Sequence, residues 1–136
     1  RGFALTHLES MGFHNTPVLY GDFSYQSGRD CFAEWMSVND KPDAVICSND
    51  MMAIGCIDEA RSRQGLSVPE QLSVVGFDGF NAASLDSYDL TTIRQPINQM
   101  AKAAVNILLE RIENPDLPPE KRVLVGEFIR GSSAHV

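Results

Sequence analysis

Apolar residues follow two patterns along the chain, helical spacing and short continuous runs, and the two alternate. The spacing predicts four helices, with apolar faces at Phe3, Ala4, His7, Leu8 and Met11; Phe32, Trp35 and Met36; Met52, Ala53, Cys56, Ile57 and Ala60; and Ile97, Met100, Ala101, Ala104, Val105, Leu108 and Ile112. The runs predict strands at residues 17–21, 43–48, 72–77, 90–94 and 123–129. Alternating strands and helices predict an α/β fold, an open and mostly parallel sheet with helices on both faces.

The helix boundaries carry their own signals. Gly12 is suited to end the first helix, and Ser24 to cap the second. The pair Asn49–Asp50 offers two possible caps for the third helix, and Pro96 suits the first turn of the fourth. The polar tail, residues 131–136, is expected to be frayed.

Composition and charge narrow the class of protein. The chain has 136 residues, 43% of them hydrophobic, which is typical of one soluble globular domain. Lysine and arginine number 11 against 18 acidic residues, a net charge of −7, so a phosphate-tracking surface for nucleic acid or an anionic membrane is not expected. The three cysteines, Cys31, Cys47 and Cys56, form no CxxC motif, which favours buried thiols in a reduced, cytoplasmic compartment.

Polar side chains follow the predicted strands at the points where ligands bind in open α/β sheets. Asn49, Asp78 and Gln95 come after three successive strands, and Phe23 follows the first strand. Carboxylates and amides can satisfy hydroxyl groups, which both donate and accept, and an aromatic ring can cover a sugar or a base. The alternative is that such turns are polar because helix N-caps favour these residues.

Enzyme motifs are absent from the sequence. It contains no GxSxG elbow, P-loop or GxGxxG, and its histidines lack metal-ligand spacing. An acidic, magnesium-binding pocket formed by Asp22, Asp50 and Asp78 remains an alternative, and with it an enzyme that uses these acids. No lysine stands at a strand end to neutralise a phosphoryl group there.

Four segments together resemble a known family. They are residues 42–55 (PDAVICSNDMMAIG), 65–78 (GLSVPEQLSVVGFD), 90–96 (LTTIRQP) and 129–133 (IRGSS). In this order and spacing they resemble the effector domain of bacterial transcription regulators of the lactose and galactose repressor family. The resemblance implies a periplasmic-binding-protein-like fold, with two α/β subdomains around a cleft that binds a small effector, often a sugar, nucleoside or purine.

The resemblance also implies roles for individual residues. Asn49, Asp78 and Gln95 match ligand-contacting positions of the family, and Phe23 matches an aromatic position that stacks on the ligand. Asp50 is expected to be the helix cap rather than a ligand contact. The implied function needs no catalytic residue, no metal and no cofactor, because the effector acts by shifting a population of conformations.

The family forms homodimers, and its pairing surface falls on the third helix and the loop after Asp78. The residues expected there are Ile54, Ile57, Asp58, Arg61 and Leu85, with Gly55 allowing close approach. Residues 1–136 would be the C-terminal part of an effector-binding and dimerisation domain, with residues 96–120 belonging to the other subdomain. Operator DNA would be bound through a helix-turn-helix outside this chain.

Two expectations remain open at this point. A fragment of a sugar-binding transport protein would share this fold, but the odd number of cysteines and the TTIRQ segment favour the regulator. An upstream helix-turn-helix or signal peptide would decide between them. The apolar face of the fourth helix is expected to dock on another surface, because burying it would stabilise the chain by several kcal/mol at about 25 cal/mol per Å².

Overall fold

The computed structural model describes residues 2–38 and 40–136, and it has the α/β order that the sequence predicts. Its elements are helices α1 (Gly2–Ser10), α2 (Tyr25–Val38), α3 (Asp50–Ser62) and α4 (Ile97–Glu113), and strands β1 (Ala44–Ile46), β2 (Ser73–Val75), β3 (Thr92–Arg94) and β4 (Glu127–Ile129). A short 3₁₀ turn, Asn81–Ser84, lies in the loop after β2. No helix in the described part of the chain is both long enough and apolar enough to cross a membrane.

The strands assemble in the order β1–β2–β3–β4. β1 pairs with β2 in parallel, with Val45 opposite Val74, and β3 pairs with β4 in antiparallel orientation. Parallel bridges join the two pairs, because the Gly76 amide donates to the Thr91 carbonyl at 3.0 Å, and the Asp78 amide to the Ile93 carbonyl at 3.0 Å. The parallel strands therefore direct residues 47–49, 76–78 and 95 toward one edge.

The core lies where α3 packs against both α2 and β2. Its fully buried side chains include Ile57, Leu72, Val74 and Leu90. Helices α2 and α3 cross closely, because an added Cβ at Gly28 would lie 2.2 Å from the Met52 carbonyl oxygen, and one at Gly55 only 2.1 Å from that of Tyr25. Gly55 thus allows a second backbone to approach closely, as predicted, but that backbone is α2 of the same chain and not a partner subunit.

The predicted helix boundaries at Gly12 and Ser24 agree with the structure, whereas each of the four strands is three residues long and shorter than predicted. Gly12, at φ +91°, ends α1, and the Ser24 side chain accepts from the Ser27 amide to cap α2. The predicted strand at residues 17–21 does not form: no ladder includes it within the described residues, and Leu19 and Tyr20 are exposed. An apolar run becomes a strand only where a neighbouring strand supplies hydrogen bonds.

The tail is more ordered than predicted. The Ser133 hydroxyl accepts from the Thr91 amide at 2.9 Å and donates to the Val74 carbonyl at 2.6 Å, while the Val74 amide donates to the Ser133 carbonyl. Ser133 and Ala134 are both buried. The expected fraying is therefore wrong for these residues, because a serine side chain links two strands from within the core.

Helix α4 has an apolar face that the rest of the described chain does not cover. None of its residues is buried, and Ile97, Leu108 and Ile112 each expose more than half of their surface. The expected docking of this face is therefore not observed within the described chain, and a neighbouring chain stays a predicted alternative.

Candidate functional site

Asp78 and Gln95 lie in contact at the edge formed by the strand ends. The Gln95 Nε2 donates to Asp78 Oδ1 at 2.5 Å, and the Gln95 amide donates to the Asp78 carbonyl at 3.2 Å. Both residues are half-buried, and Asp78 holds a backbone φ of +118°, which is rare for residues other than glycine. The structure thus joins two residues that are 17 positions apart in the sequence.

Asn49 and Phe23 form a second contact. The Asn49 side-chain amide donates to the Phe23 carbonyl at 2.8 Å, while its oxygen caps α3 by accepting from the Met52 amide at 2.9 Å. Phe23 holds φ +68°, and its side chain is 63% exposed. Asn49 is therefore both a helix cap and the link that fixes an exposed aromatic residue on the preceding loop.

An open depression of about 380 Å³ lies beside the Asp78–Gln95 pair. Its lining residues are Asp50, Met51, Asp78, Gly79, Phe80, Asn81, Gln95 and Ile97. Asn49 and Phe23 are not among them, although Asn49 adjoins Asp50 in the chain. Two of the four predicted contact residues thus share this depression, and the other two form their own contact.

Asp50 has a different place from the one predicted. The N-cap of α3 is Asn49, not Asp50, which corrects the expected assignment. The Asp50 side chain is buried, and its oxygens accept from the Phe80 amide and the Thr92 hydroxyl, each at 2.6 Å. No sequence signal distinguishes the two residues, because either side chain could reach the free amides of the first turn.

The depression is acidic and carries no basic side chain among its lining residues. Carboxylate, amide and aromatic groups are suited to donors such as the hydroxyls of an uncharged ligand. No cluster of three or more His, Cys, Asp and Glu side chains within residues 2–38 and 40–136 could hold a metal ion. Asp22 instead accepts from the Ser24 amide, and hydrogen bonds from Ser24 lower its pKa to about 2.

The residues expected at a dimer interface occupy two environments. Ile57 is fully buried and Ile54 is 95% buried in the chain's own packing, so these two side chains offer a partner almost no surface. Ile57 belongs to the same core cluster as Leu72 and Val74, so the expected interface on α3 is limited to its accessible residues. Asp58, Arg61 and Leu85 retain accessible surface, and Leu85 is exposed.

The accessible part of α3 is tied to the loop that follows Asp78. Asp58 Oδ2 accepts from the hydroxyls of Tyr25 at 2.8 Å and Tyr88 at 3.1 Å. The hydrogen bond to Asp58 raises the pKa of Tyr25, and burial together with the same acceptor raises the pKa of Tyr88. Arg61 donates to the Ser87 carbonyl at 2.6 Å, so the far end of this loop is held on α3.

The three thiols are free, and two of them lie in the core. The hydrogen bond with Cys47 and then burial raise the pKa of the Cys56 thiol, and burial raises the pKa of Cys31. Raised pKa values keep thiols protonated near neutral pH, which disfavours a nucleophilic role.

Comparison with known proteins places this architecture in a family. The profile described as "Periplasmic binding protein-like domain" matches residues 5–134. The HTH-type transcriptional repressor PurR of Aliivibrio fischeri is 38% identical over 126 residues, which are 90% of this chain and 36% of that protein. The chain therefore spans about a third of the length of this relative.

Solved structures agree with the sequence comparison. The transcriptional regulator CelR in complex with cellobiose superposes with a TM-score of 0.86 at 28% identity, covering 94% of this chain and 39% of that one. A LacI family transcriptional regulator from Enterococcus faecium with bound ribose gives a TM-score of 0.78 at 27% identity, covering 95% and 48%. The chain therefore belongs to the periplasmic binding protein-like domain family, in the form that LacI-family transcriptional regulators carry.

Proposed function

We propose that this chain is the effector-binding and dimerisation part of a DNA-binding transcription regulator. The observation that carries the proposal is the Asp78–Gln95 pair, held at the carboxyl edge of the sheet in the wall of an open depression. Ligands of open α/β sheets bind at this edge. The relative named above is a repressor, and the two solved neighbours are regulators.

The proposed effector is a small, uncharged molecule rich in hydroxyl groups, of the sugar or nucleoside class. Asp78 accepts from Gln95 through Oδ1, which leaves Oδ2 to accept from a ligand hydroxyl. Phe23 is exposed enough to cover a ring that contacts Asn49. The cellobiose and ribose bound by the two neighbours belong to this chemical class.

The proposed mechanism is allosteric and includes no covalent step. Binding would shift a population between arrangements of two lobes, with residues 96–120 in the other lobe and a helix-turn-helix elsewhere in the polypeptide contacting operator DNA. The uncovered apolar face of α4 supports that assignment of residues 96–120. A regulator that binds DNA in a bacterium would act in the cytoplasm.

The proposed partner is a second copy of the chain. Asp58, Arg61 and Leu85 are the predicted interface residues that keep accessible surface, and they lie on α3 and the loop it holds. A stable pair would bury about 1,200 Å² or more in total. Sedimentation of the natural polypeptide at high micromolar concentration tests this, and a monomer alone would contradict it.

The effector proposal is tested by calorimetric titration of the full-length natural polypeptide with ribose, cellobiose, adenosine and hypoxanthine. A hydrogen bond to a charged acceptor is worth about 1.5–3 kcal/mol, so Asp78→Ala should weaken binding at least about tenfold. Asp86→Ala, which removes an exposed carboxylate from the same loop, is the matched control. Unchanged affinity in a folded Asp78→Ala protein would show that Asp78 only shapes the turn and does not bind the ligand.

A further inference from the structure

Asp50 is a buried carboxylate that accepts hydrogen bonds from the loop after β2 and from β3. Asp50 is only 1% exposed. It is the first residue of α3, where the helix dipole favours a negative charge. One oxygen accepts from the Phe80 amide and the other from the Thr92 hydroxyl. Both oxygens are therefore engaged within the chain.

Both donors to Asp50 lie within three residues of a member of the Asp78–Gln95 pair, which lines the depression. Phe80 follows Asp78 by two residues, and Thr92 precedes Gln95 by three. Between Asp78 and Phe80 the backbone turns through Gly79 at φ +70°, where an added Cβ would lie 2.7 Å from the Arg94 Cα. The turn is thus constrained by close packing on β3 and by the Asp50 carboxylate.

We propose that Asp50 is a positioning residue for the effector site: it fixes the Phe80 amide and the Thr92 hydroxyl, and so holds Asp78 and Gln95 in register. This inference rests on the proposed function for its biological meaning. It assigns Asp50 a role beyond general stability, because its charge organises a turn whose backbone is strained at Asp78.

Glu59 provides a comparison on the same helix. It is also buried, and it forms an ion pair with Arg29 at 2.7 Å, which joins α3 to α2 rather than to the depression. A loss of charge at Glu59 weakens the packing of the two helices, whereas the same loss at Asp50 acts on the turn. Glu59→Gln therefore separates loss of stability from loss of position.

The first experiment reads the Asp78–Gln95 bond directly. In the full-length polypeptide labelled with ¹⁵N-glutamine, the Gln95 side-chain amide is assigned by its loss in Gln95→Ala. Asp78→Asn should shift this signal, and Asp50→Asn and Thr92→Val should shift it in the same direction. Thr92→Ser, which keeps the hydroxyl, and Glu59→Gln should leave it in place.

Three results of this experiment would overturn the proposal. They are an unchanged Gln95 signal in folded Asp50→Asn, an equal shift in Glu59→Gln, and no shift in Asp78→Asn. If Asp50→Asn does not fold, the Thr92→Val and Thr92→Ser pair decides, because Thr92→Val removes the hydroxyl at nearly constant volume and Thr92→Ser keeps it.

The second experiment repeats the titration with ribose, cellobiose, adenosine and hypoxanthine. For a compound that the wild type binds, Asp50→Asn and Thr92→Val should weaken binding at least about tenfold, with Thr92→Ser and Glu59→Gln within about threefold of wild type. Unchanged affinity in Asp50→Asn would overturn the positioning role. If the wild type binds none of the four, the proposed function fails, and the Gln95 signal still decides whether Asp50 sets the pair.

Discussion

The region from α2 to β3 and helix α4 use similar apolar residues with opposite results. In the first region Ile57, Leu72 and Val74 are fully buried, and the helices approach each other at two glycines. In α4 the apolar face is exposed along its length, and no residue is buried. An apolar stripe thus predicts that a surface will be covered, but it does not identify what covers it.

The largest expected difference between the two regions is in hydrogen exchange of the 136-residue chain. Amides of α3 should exchange only through global unfolding, whereas those of residues 97–112 should exchange several orders of magnitude faster, because α4 lacks the packing of an apolar face that supplies most helix stability in proteins. Mass spectrometry of the exchanging peptides measures both. Protection of α4 equal to that of α3, at low and high protein concentration, would contradict the comparison.

A pair of leucine-to-alanine substitutions tests the same comparison between the core and α4. Leu72→Ala should destabilise the chain by about 2–5 kcal/mol, because Leu72 is fully buried in the core. Leu108→Ala on α4 should change the free energy of unfolding by about 0.5 kcal/mol or less, because that side chain is 59% exposed. Urea denaturation measures both values, and similar losses would show that α4 is covered in solution.

Gly55→Ala tests the helix crossing. Its new methyl group would lie 2.1 Å from the Tyr25 carbonyl oxygen, so α2 must move, at a cost of about 1–3 kcal/mol. An exposed helical glycine would instead gain stability from alanine. A higher melting temperature for Gly55→Ala would therefore refute the close approach of α2 and α3.

The smallest expected effect is the pH dependence contributed by Asp22. Its pKa is lowered from 3.8 to about 2, so this contribution to stability is present above the unfolded-state pKa and is lost as pH falls from about 4 through 2. Carboxyl ¹³C titration by NMR should find the Asp22 midpoint near 2, and Ser24→Ala should raise it. A midpoint near 4 in the wild type would contradict the hydrogen bonds at Ser24.

Patterns local in sequence predicted most of the fold. Ser24 as a cap, Gly12 as a helix end and the four helices follow from spacing and backbone preferences, and the structure confirms them. Residues 17–21 were predicted as a strand because a run of apolar residues carries no information about a hydrogen-bonding partner. The burial of Ser133 depends in the same way on two strands that lie more than 40 residues earlier in the chain.

The sequence predicted which residues belong to the candidate site but not how they are arranged in space. Strand ends and the family resemblance selected Asn49, Asp78 and Gln95, and two of these prove to be in contact. The organising position of Asp50 could not be predicted, because Thr92 and Phe80 become its neighbours only when three elements pack together. The spacing placed Ile57 on the apolar face of α3, whereas the burial of Ile54 follows only from the packed structure.

The attachment of one loop at both its ends limits how the ligand specificity of the proposed site could be redesigned. Asp50 holds the loop at Phe80, and Asp58 and Arg61 hold it at Tyr88 and Ser87. A mutagenesis library should therefore vary residue 81 while these attachment points and Gly79, which has no room for a Cβ beside Arg94, are kept. If the whole loop were exchanged for that of another regulator, the new loop would lack its hydrogen-bond partners on α3. Helix α3 should therefore be exchanged together with the loop.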